Sequence, residues 1–407
     1  MLRQPQKLDF KDLPKVEHLT LCFSLSFPVP QLHAHLSGSI SRRCLHGIWS
    51  SKKAAGLTTL EDPLLAMPED KHNYCLKTFF PLFTSYIYGL LDDLLSVTIS
   101  TRDVLRQFAA DGVCYLELRT TPRSSAHFSR AQHIRAVADT VRSFAAATPR
   151  MHVRLLLSLD RRDSAADARE TLRLAREHRD VVVGIDLCGT PTVRSGRAIR
   201  FFDAFMREAR RDGFALAVHF GEVRHNTTCD GQESNERRCA VPPAAAPLET
   251  GEPQPLGPDG CAPEAPQDCS MAISDDDNVE DIEQRIMLGW QPQRLGHVVH
   301  VSERVKQYIL AQGSTLTLEM CLSCNVHAKM VDSYDGHHFQ EWWRAGANLT
   351  LGTDDVGVFG SSLSREYELA AQHFNLSADD IKKLARMSID GIFGGEEEKA
   401  RLRAIMW

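Results

Sequence analysis

The hydrophobic positions of this chain form short apolar runs that directly follow helical segments ending in glycine. The pattern occurs as LRQFAADG before VCYLELR (105–119), REARRDG before FALAVHF (207–220), YILAQG before STLTLEM (308–320) and WWRAG before ANLTLGT (342–353). Glycine after a helix adopts the left-handed conformation at little cost and lets the chain turn into a strand. This repeated helix–glycine–strand unit predicts an α/β fold.

Four further apolar runs bring the number of predicted strands to eight. They are LHAHL (32–36), VRLLLSLD (153–160), VVVGIDLCG (181–189) and RLGHVVHV (294–301). Amphipathic segments such as 164–179 and 196–213 lie between the runs. Strands that are apolar on both faces are typical of a buried parallel sheet, and eight of them alternating with helices predict a (β/α)8 TIM barrel. A doubly wound open sheet is the alternative, but no G-x-G-x-x-G follows the first strand.

Two segments depart from this pattern. Residues 229–277 are rich in proline, glycine, alanine and acidic residues and have no apolar period. Such a stretch buries too little apolar surface to offset its ordering entropy, so we expect a long disordered insertion within one barrel domain spanning residues 1–407. Residues 18–31, HLTLCFSLSFPVPQ, are expected to be an extra segment before the first strand.

Composition narrows the class of protein. The 407 residues are 25% charged and 43% hydrophobic, which is the balance of a globular protein. Lysine and arginine number 47 against 53 aspartate and glutamate residues, a formal charge of −6 that favours neither a nucleic acid polymer nor a membrane as partner. The eleven cysteines are scattered and odd in number, which indicates reduced thiols. We therefore expect a cytoplasmic protein.

Side chains that bind metals or transfer protons gather at the ends of the predicted strands. They are His33 and His35 in LHAHL, His219 and Glu222 in HFGE, His297 in RLGH, and Asp354 and Asp355 in GTDD. Residues i and i+2 of a strand point to the same side, so His33 and His35 aim at one point. The carboxyl ends of all barrel strands meet at one rim, where TIM barrels carry their chemistry.

Three histidines and one aspartate are ligands that suit a catalytic zinc ion with one position open for water. Zinc lowers the pKa of that water from ~15.7 to roughly 7 and so supplies hydroxide at neutral pH. The sequence thus predicts one Zn²⁺ per chain, held by His33, His35, His219 and Asp354.

A second cluster resembles a zinc half-site but lacks its context. The run CLSC (321–324) is followed by His327, yet the chain has no H-x-E and carries methionine at position 320. Zinc deaminases of the cytidine type need H-x-E together with P-C-x-x-C. Cys321 and Cys324 are therefore expected to pack against the strands and line the substrate side of the site.

The motifs LHAHLSGS, HFGEV, RLGH, SCNV and GTDDVGVFG, in this order, resemble those of the adenosine deaminase family. The runs at 115–123 and 353–370 are more similar to its adenosine deaminase-like branch, the N6-methyl-AMP deaminases. The resemblance extends from about Leu13 to Phe393. Two departures are that residues 18–31 separate LPKVE from LHAHL, and that Ser37 stands where the branch has asparagine.

This resemblance implies a metal-dependent hydrolase barrel that removes the group on C6 of an adenine nucleotide, with N6-methyl-AMP giving IMP and methylamine. It implies that Glu222 protonates ring N1, for which a buried and protonated carboxyl is expected. His297 would orient the attack and stabilise the developing oxyanion. The substrate contacts that it implies are His35, Ser37, Thr120, Thr121, Asp160, Gly189 and, at the N7 edge, Asp355.

Three alternatives remain open from the sequence. The first is deamination of adenosine, which carries no phosphate. The second is a different zinc or iron barrel hydrolase acting on another cyclic amidine or amide. The third is a catalytically impaired barrel that serves as a binding or scaffold protein, because the segment before the first strand could displace two ligands. In each enzymatic case we expect a small-molecule ligand and a monomer.

Overall fold

The structure of the chain is a computed structural model that describes residues 28–224, 273 and 277–406. Eight parallel strands pair in chain order. They are Val29–His35 (β1), Val113–Thr120 (β2), His152–Asp160 (β3), Val182–Cys188 (β4), Ala215–Phe220 (β5), Arg294–His297 (β6), Thr317–Met320 (β7) and Asn348–Leu351 (β8). A parallel bridge between Ala34 and Asp354 joins the last strand to the first. The predicted (β/α)8 TIM barrel is therefore confirmed, and an open doubly wound sheet is excluded.

Helices surround this barrel and cover its carboxyl rim. In the described ranges they are Arg42–Ala54 (α1), Pro63–Ala66 (α2), Leu76–Leu82 (α3), Tyr88–Leu90 (α4), Leu94–Ala110 (α5), Arg130–Ala147 (α6), Ala165–Glu177 (α7), Asp203–Arg211 (α8), Val279–Gly289 (α9), Glu303–Ala311 (α10), Leu322–His327 (α11), Phe339–Arg344 (α12), Val356–Phe359 (α13), Leu363–Phe374 (α14), Ala378–Asp390 (α15) and Glu396–Ile405 (α16). A π-helical turn, Phe83–Ile87, joins α3 to α4, and 3-10 turns occupy Gly196–Phe202 and Gly313–Thr315. None of the described helices is both long and apolar enough to cross a membrane.

Glycine ends the helix before a strand as the sequence predicts. Gly112 has φ +87° before β2, and Gly346 has φ +77° before β8. Only glycine adopts these values without strain. At Gly313 the turn is less abrupt, because this residue opens a 3-10 turn and β7 begins only at Thr317.

Two predicted boundaries differ from the structure. The predicted strand 294–301 ends at His297, because His297 and Val298 have φ of +67° and +53° and leave the extended conformation. The last residues of the predicted extra segment, Val29–Gln31, are the first residues of β1 and pair with β2. Residues 18–27 of that segment lie outside the described residues, as does the predicted insertion 229–277 apart from residues 273 and 277.

The interior of the barrel contains charged side chains as well as apolar ones. Glu117, Arg119, Asp186, Arg294 and Glu319 are all fully buried. They form ion pairs in which Arg294 contacts Glu117 and Glu319, while Arg119 contacts Asp186 and Glu319. Buried charges are tolerated when they are paired in this way. Part of this network lies directly beneath the carboxyl rim.

Candidate active site

The structure brings the four predicted metal ligands together at the carboxyl rim. The Nε2 atoms of His35 and His219 lie 3.0 Å apart. The Oδ1 atom of Asp354 lies 3.4 Å from Nε2 of His33 and 3.3 Å from Nε2 of His35. Barrel closure explains this meeting, because the Ala34–Asp354 bridge sets the end of β1 beside the residue that follows β8.

The donor atoms of this cluster fit a divalent metal ion. One donor atom each from His33, His219, His297 and Asp354 lies within 4.8 Å of the others, and His35 forms a second such group with His219 and Asp186. The Nε2 atom of His33 is buried and has no hydrogen-bond partner among the described residues. Nitrogen and carboxylate oxygen donors in such a group are the ligands that zinc prefers. His297, which we assign to catalysis, therefore lies within the same cluster.

Carboxylates behind two of the histidines orient their rings. The Nδ1 atom of His33 lies 2.7 Å from Oε2 of Glu319, and Nδ1 of His219 lies 3.2 Å from Oδ1 of Asp186. Arg119 contacts both carboxylates. A proton on each Nδ1 leaves Nε2 free to bind a metal. The sequence analysis missed Asp186 and Glu319, although a charged residue inside an apolar strand was a visible signal.

Burial and neighbouring charges set the ionisation of the predicted ligands. Burial lowers the pKa of His35 to about 3 and also lowers the pKa of His33, so both rings are neutral. Burial lowers the pKa of His219 as well, but the Asp186 carboxylate outweighs it and raises that pKa to about 9. A metal ion must displace the His219 proton, so metal affinity is expected to weaken as the pH falls.

Glu222 and His297 form a close pair beside the predicted ligands. The Oε1 atom of Glu222 lies 3.1 Å from Nε2 of His297. Burial raises the pKa of Glu222, but the His297 ring against it and His219 nearby outweigh burial, so the pKa lies below its usual value. We expect a buried and protonated Glu222; the carboxyl is buried, but the lowered pKa favours its ionised form in the free site, because the His297 ring lies against it.

The predicted substrate residues line one cavity above the cluster, and this cavity is open to solvent. His35, Ser37, Thr120, Thr121, Asp160, Gly189, Glu222 and Asp355 all line it. Arg162 also lines the cavity and holds Asp160 through two hydrogen bonds of 2.8 and 2.7 Å. Gly189 has φ +102°, and a Cβ there would lie 2.7 Å from Oδ1 of Asp160. The backbone at Gly189 and the guanidinium of Arg162 therefore both lie next to Asp160 in the lining of the cavity.

Aromatic side chains also line the cavity, and the sequence analysis missed them. Phe79, Phe83 and Tyr88 come from α3, the π-helical turn and α4, and Phe359 comes from α13. Phe79 stacks on Phe359 with ring centroids 5.3 Å apart. In the sequence these phenylalanines have helical spacing and resemble core residues. Only the fold shows that α3, the π-helical turn and α4 bring these rings to the cavity.

The two cysteines of CLSC lie beside the cluster. Cys324 donates from Sγ to Oδ2 of Asp354 at 2.8 Å and lines the cavity. Burial, and then the Asp354 charge, raise the pKa of the Cys324 thiol well above its usual value, so the sulfur stays protonated. Cys321 is fully buried, and its sulfur would lie 3.3 Å from a Cβ at Gly352. This geometry fits the expected packing role.

Asp355 lines the cavity and is largely buried. Its Oδ1 is buried and has no hydrogen-bond partner in the described part of the chain. Burial, together with the charges of Asp354 and Glu222, raises the pKa of Asp355 well above its usual value. A neutral carboxyl can donate a hydrogen bond to a ring nitrogen.

Gly38 makes room for Asp355, so replacing Gly38 by alanine is expected to displace this carboxyl. A Cβ at position 38 would lie 1.7 Å from Oδ1 of Asp355, whereas a Cβ at Gly47 on α1 would meet nothing within 4 Å. We expect Gly38→Ala to lower kcat/KM by about 10²-fold, the typical loss of one positioned hydrogen-bond donor, and Gly47→Ala to leave it unchanged. Steady-state kinetics on the two variants test this, and equal rates would contradict the placement of Asp355.

The family model and the most similar relatives of this chain agree on one family. The family model described as adenosine deaminase matches residues 28–230 and 282–406. N6-Methyl-AMP deaminase from Homo sapiens is 29% identical over 412 residues, with 98% of this chain and 95% of that protein covered. The N6-mAMP deaminase from Arabidopsis thaliana is 32% identical over 404 residues, with 93% and 96% covered. The resemblance to the adenosine deaminase-like branch is thus confirmed.

Solved structures agree with the sequence comparison. Arabidopsis ADAL in complex with IMP superposes with a TM-score of 0.73 at 32% identity, covering 95% of this chain and 98% of that one. The complex of the same protein with GMP gives the same TM-score, identity and coverage. The barrel, the order of the rim motifs and the extent of these matches lead to one conclusion. The chain belongs to the adenosine deaminase family.

Proposed function

We propose that this protein is a zinc-dependent hydrolytic deaminase that converts N6-methyl-AMP to IMP and methylamine. The observation that carries the proposal is the meeting of His33, His35, His219 and Asp354 directly below a cavity lined by Glu222 and Asp355. Relatives that match nearly the full length of the chain are named N6-methyl-AMP deaminases, and one binds IMP and GMP. These names and ligands support a nucleoside monophosphate as substrate.

Zinc held by the four predicted ligands would supply hydroxide at neutral pH. The chain's own groups then act on the purine. His297 donates from Nε2 toward the oxygen that adds at C6 and so stabilises the charge that develops there. Glu222 delivers a proton to ring N1, which makes C6 more electrophilic. The lowered pKa of Glu222 favours its ionised form in the free site, so Glu222 takes up this proton, one of the two of the attacking water, after the substrate binds. The second proton of that water, on the oxygen added at C6, leaves with methylamine as the C6–N6 bond breaks.

The remaining cavity residues hold the nucleotide. Asp355 donates to N7, and Gly189 lets the base approach the backbone. Ser37, Thr120, Thr121 and Asp160 supply hydroxyl and carboxylate groups for the ribose and phosphate. Arg162 is about half exposed and lines the cavity, and its Nε and Nη2 donate to the Asp160 carboxylate. Only its Nη1 is therefore left to donate to a 5′-phosphate, unless the phosphate displaces Asp160.

Steady-state rates on N6-methyl-AMP, AMP and adenosine test the proposed substrate. We expect kcat/KM to be highest for N6-methyl-AMP and at least about 10²-fold lower for adenosine, because the loss of the phosphate leaves polar groups of the cavity unpaired. A higher value for adenosine would favour the alternative of a plain adenosine deaminase. Absence of turnover on all three, in protein without stoichiometric zinc, would favour the alternative of a binding or scaffold protein.

A further inference from the structure

A chain of hydrogen bonds leads from His297 away from the cavity. On the ring's far side, Nδ1 of His297 lies 3.0 Å from Nδ2 of Asn325. The Oδ1 atom of Asn325 lies 3.1 Å from Nε2 of His337. The Nδ1 atom of His337 in turn lies 3.0 Å from the backbone nitrogen of Phe339. His297, Asn325 and His337 are all buried, so each bond is shielded from water.

The last member fixes the direction of every bond in the chain. A backbone N–H can only donate, so Phe339 donates to Nδ1 of His337. Burial, then the neighbouring rings of His338 and His297, lower the pKa of His337 well below its usual value, so the neutral ring carries its one proton on Nε2. That proton is donated to Oδ1 of Asn325.

The amide of Asn325 therefore turns its Nδ2 toward His297. A second contact supports this orientation, because Nδ2 of Asn325 also lies 3.5 Å from Sδ of Met330, and a thioether sulfur can only accept. Nδ1 of His297 must then accept a hydrogen bond. Its ring proton is left on Nε2, which faces Glu222 at 3.1 Å.

We propose that Asn325 and His337 are positioning residues that hold His297 in the tautomer with its proton on Nε2. This inference rests on the proposed function, in which His297 donates to the oxygen that adds at C6. In the other tautomer a lone pair on Nε2 would face the carboxylates of Glu222 and Asp354, and the ring could donate to neither oxygen. Because these hydrogen bonds all run in one direction, donation by the backbone N–H of Phe339 at one end leaves Nε2 of His297 as a donor at the other end.

The local fold holds the residues of this hydrogen-bond series in place. Asn325 lies on α11, and its backbone oxygen accepts hydrogen bonds from Met330 and Val331 at 2.9 and 3.0 Å, which folds the following loop back on the helix. From the same loop region, His338 donates from Nε2 to the backbone oxygen of His297 at 2.6 Å. His297 is therefore fixed at its ring and at its backbone.

Asn325→Asp tests the proposal because it keeps the shape of the side chain and reverses one bond. A carboxylate at position 325 still accepts from His337, but toward His297 it can only accept, so the ring proton moves to Nδ1. We expect kcat for N6-methyl-AMP to fall about 10²–10³-fold, somewhat less than the ~10⁴-fold reported for a wrong histidine tautomer in serine proteases. We expect KM and zinc content to change less than about twofold, because neither depends on this proton.

Nitrogen NMR on the zinc-loaded enzyme gives a readout that a purely structural role would not move. In protein labelled with ¹⁵N-histidine, signals lost in His297→Asn identify His297, and their shifts report which nitrogen carries the proton. We expect protonated Nε2 in the native enzyme and protonated Nδ1 in Asn325→Asp. His337→Phe, a second variant, frees the amide to rotate and should lower kcat about tenfold.

Asn348→Asp is the matched control. Asn348 is a buried asparagine on β8 that donates to Thr317 at 2.7 Å and takes no part in the hydrogen bonds that link His297 to His337. This variant should lose stability without changing kcat or the His297 signals. The proposal is overturned if Asn325→Asp keeps the native kcat, or if its kcat falls while the His297 tautomer is unchanged. Native enzyme that is inactive on N6-methyl-AMP would instead refute the proposed function, whereas the tautomer remains measurable.

Discussion

Replacing His219 by alanine is expected to remove zinc from the protein and to lower turnover of N6-methyl-AMP at least about 10³-fold. His219 is the predicted ligand that links both candidate metal groups. Its Nδ1 contacts Asp186 and the backbone oxygen of Leu187, which leaves Nε2 directed at His35. Alanine removes the donor atom, and His297, the further donor of this group, would then have to leave Glu222 to replace it.

Elemental analysis of the purified variant measures this directly. The native chain should carry about one zinc ion and His219→Ala less than about a tenth of that, consistent with loss of one of four ligands. His133→Ala is the matched control, because His133 is equally buried but stacks on Phe128 in the outer helical layer. It should retain zinc and activity. Full zinc content in His219→Ala would contradict the proposed ligand set.

Replacing Glu222 by glutamine is expected to leave zinc bound and to lower kcat by about 10²–10⁴-fold. Glutamine keeps the size of the side chain and still accepts a hydrogen bond from Nε2 of His297. It cannot give a proton to ring N1, so C6 of the purine remains a poor electrophile. The loss should fall on kcat and not on the affinity for IMP, since the product keeps its contacts with the cavity.

Calorimetric binding of IMP, zinc analysis and single-turnover kinetics separate these effects. Glu398→Gln is a suitable control, because Glu398 is a largely buried carboxylate on α16 that pairs with His152 and Arg401 away from the cavity. It should change stability and leave kcat intact. If Glu222→Gln turned over at the native rate, another group would have to supply the proton to N1.

The strand order was predictable because its signals are local. One helical segment ends in Gly112 directly before β2, and another ends in Gly346 directly before β8. The strand segments are also largely apolar. The boundaries of the strands were harder to predict. The run at 294–301 is as apolar as the other strands, yet β6 stops at His297, because the backbone turns there to positive φ. Side-chain hydrophobicity carries no information about such a turn.

The candidate ligands were also predictable, since a barrel brings strand ends to one rim wherever they lie in the sequence. The side chains that orient these ligands were not predictable. Asp186 and Glu319 orient two histidines, but in the sequence each is a single charge within an apolar run. Asn325 and His337 lie in the stretch that follows β7, Asn325 on α11 within the SCNV motif and His337 in the loop after that helix. Nothing in that stretch indicates which side chain faces His297.

The sequence by itself determined the order of the elements, the kinds of side chain at the rim and the motifs that mark the adenosine deaminase family. Those features follow from local periodicity and residue type. Tertiary structure alone decided which atoms meet, because the contacts join residues as distant as His33 and Asp354 and depend on closure between β1 and β8. The tertiary structure also decided which side chains are ionised. Glu222 is buried as expected, but its pKa is low because a ring from β6 lies against it.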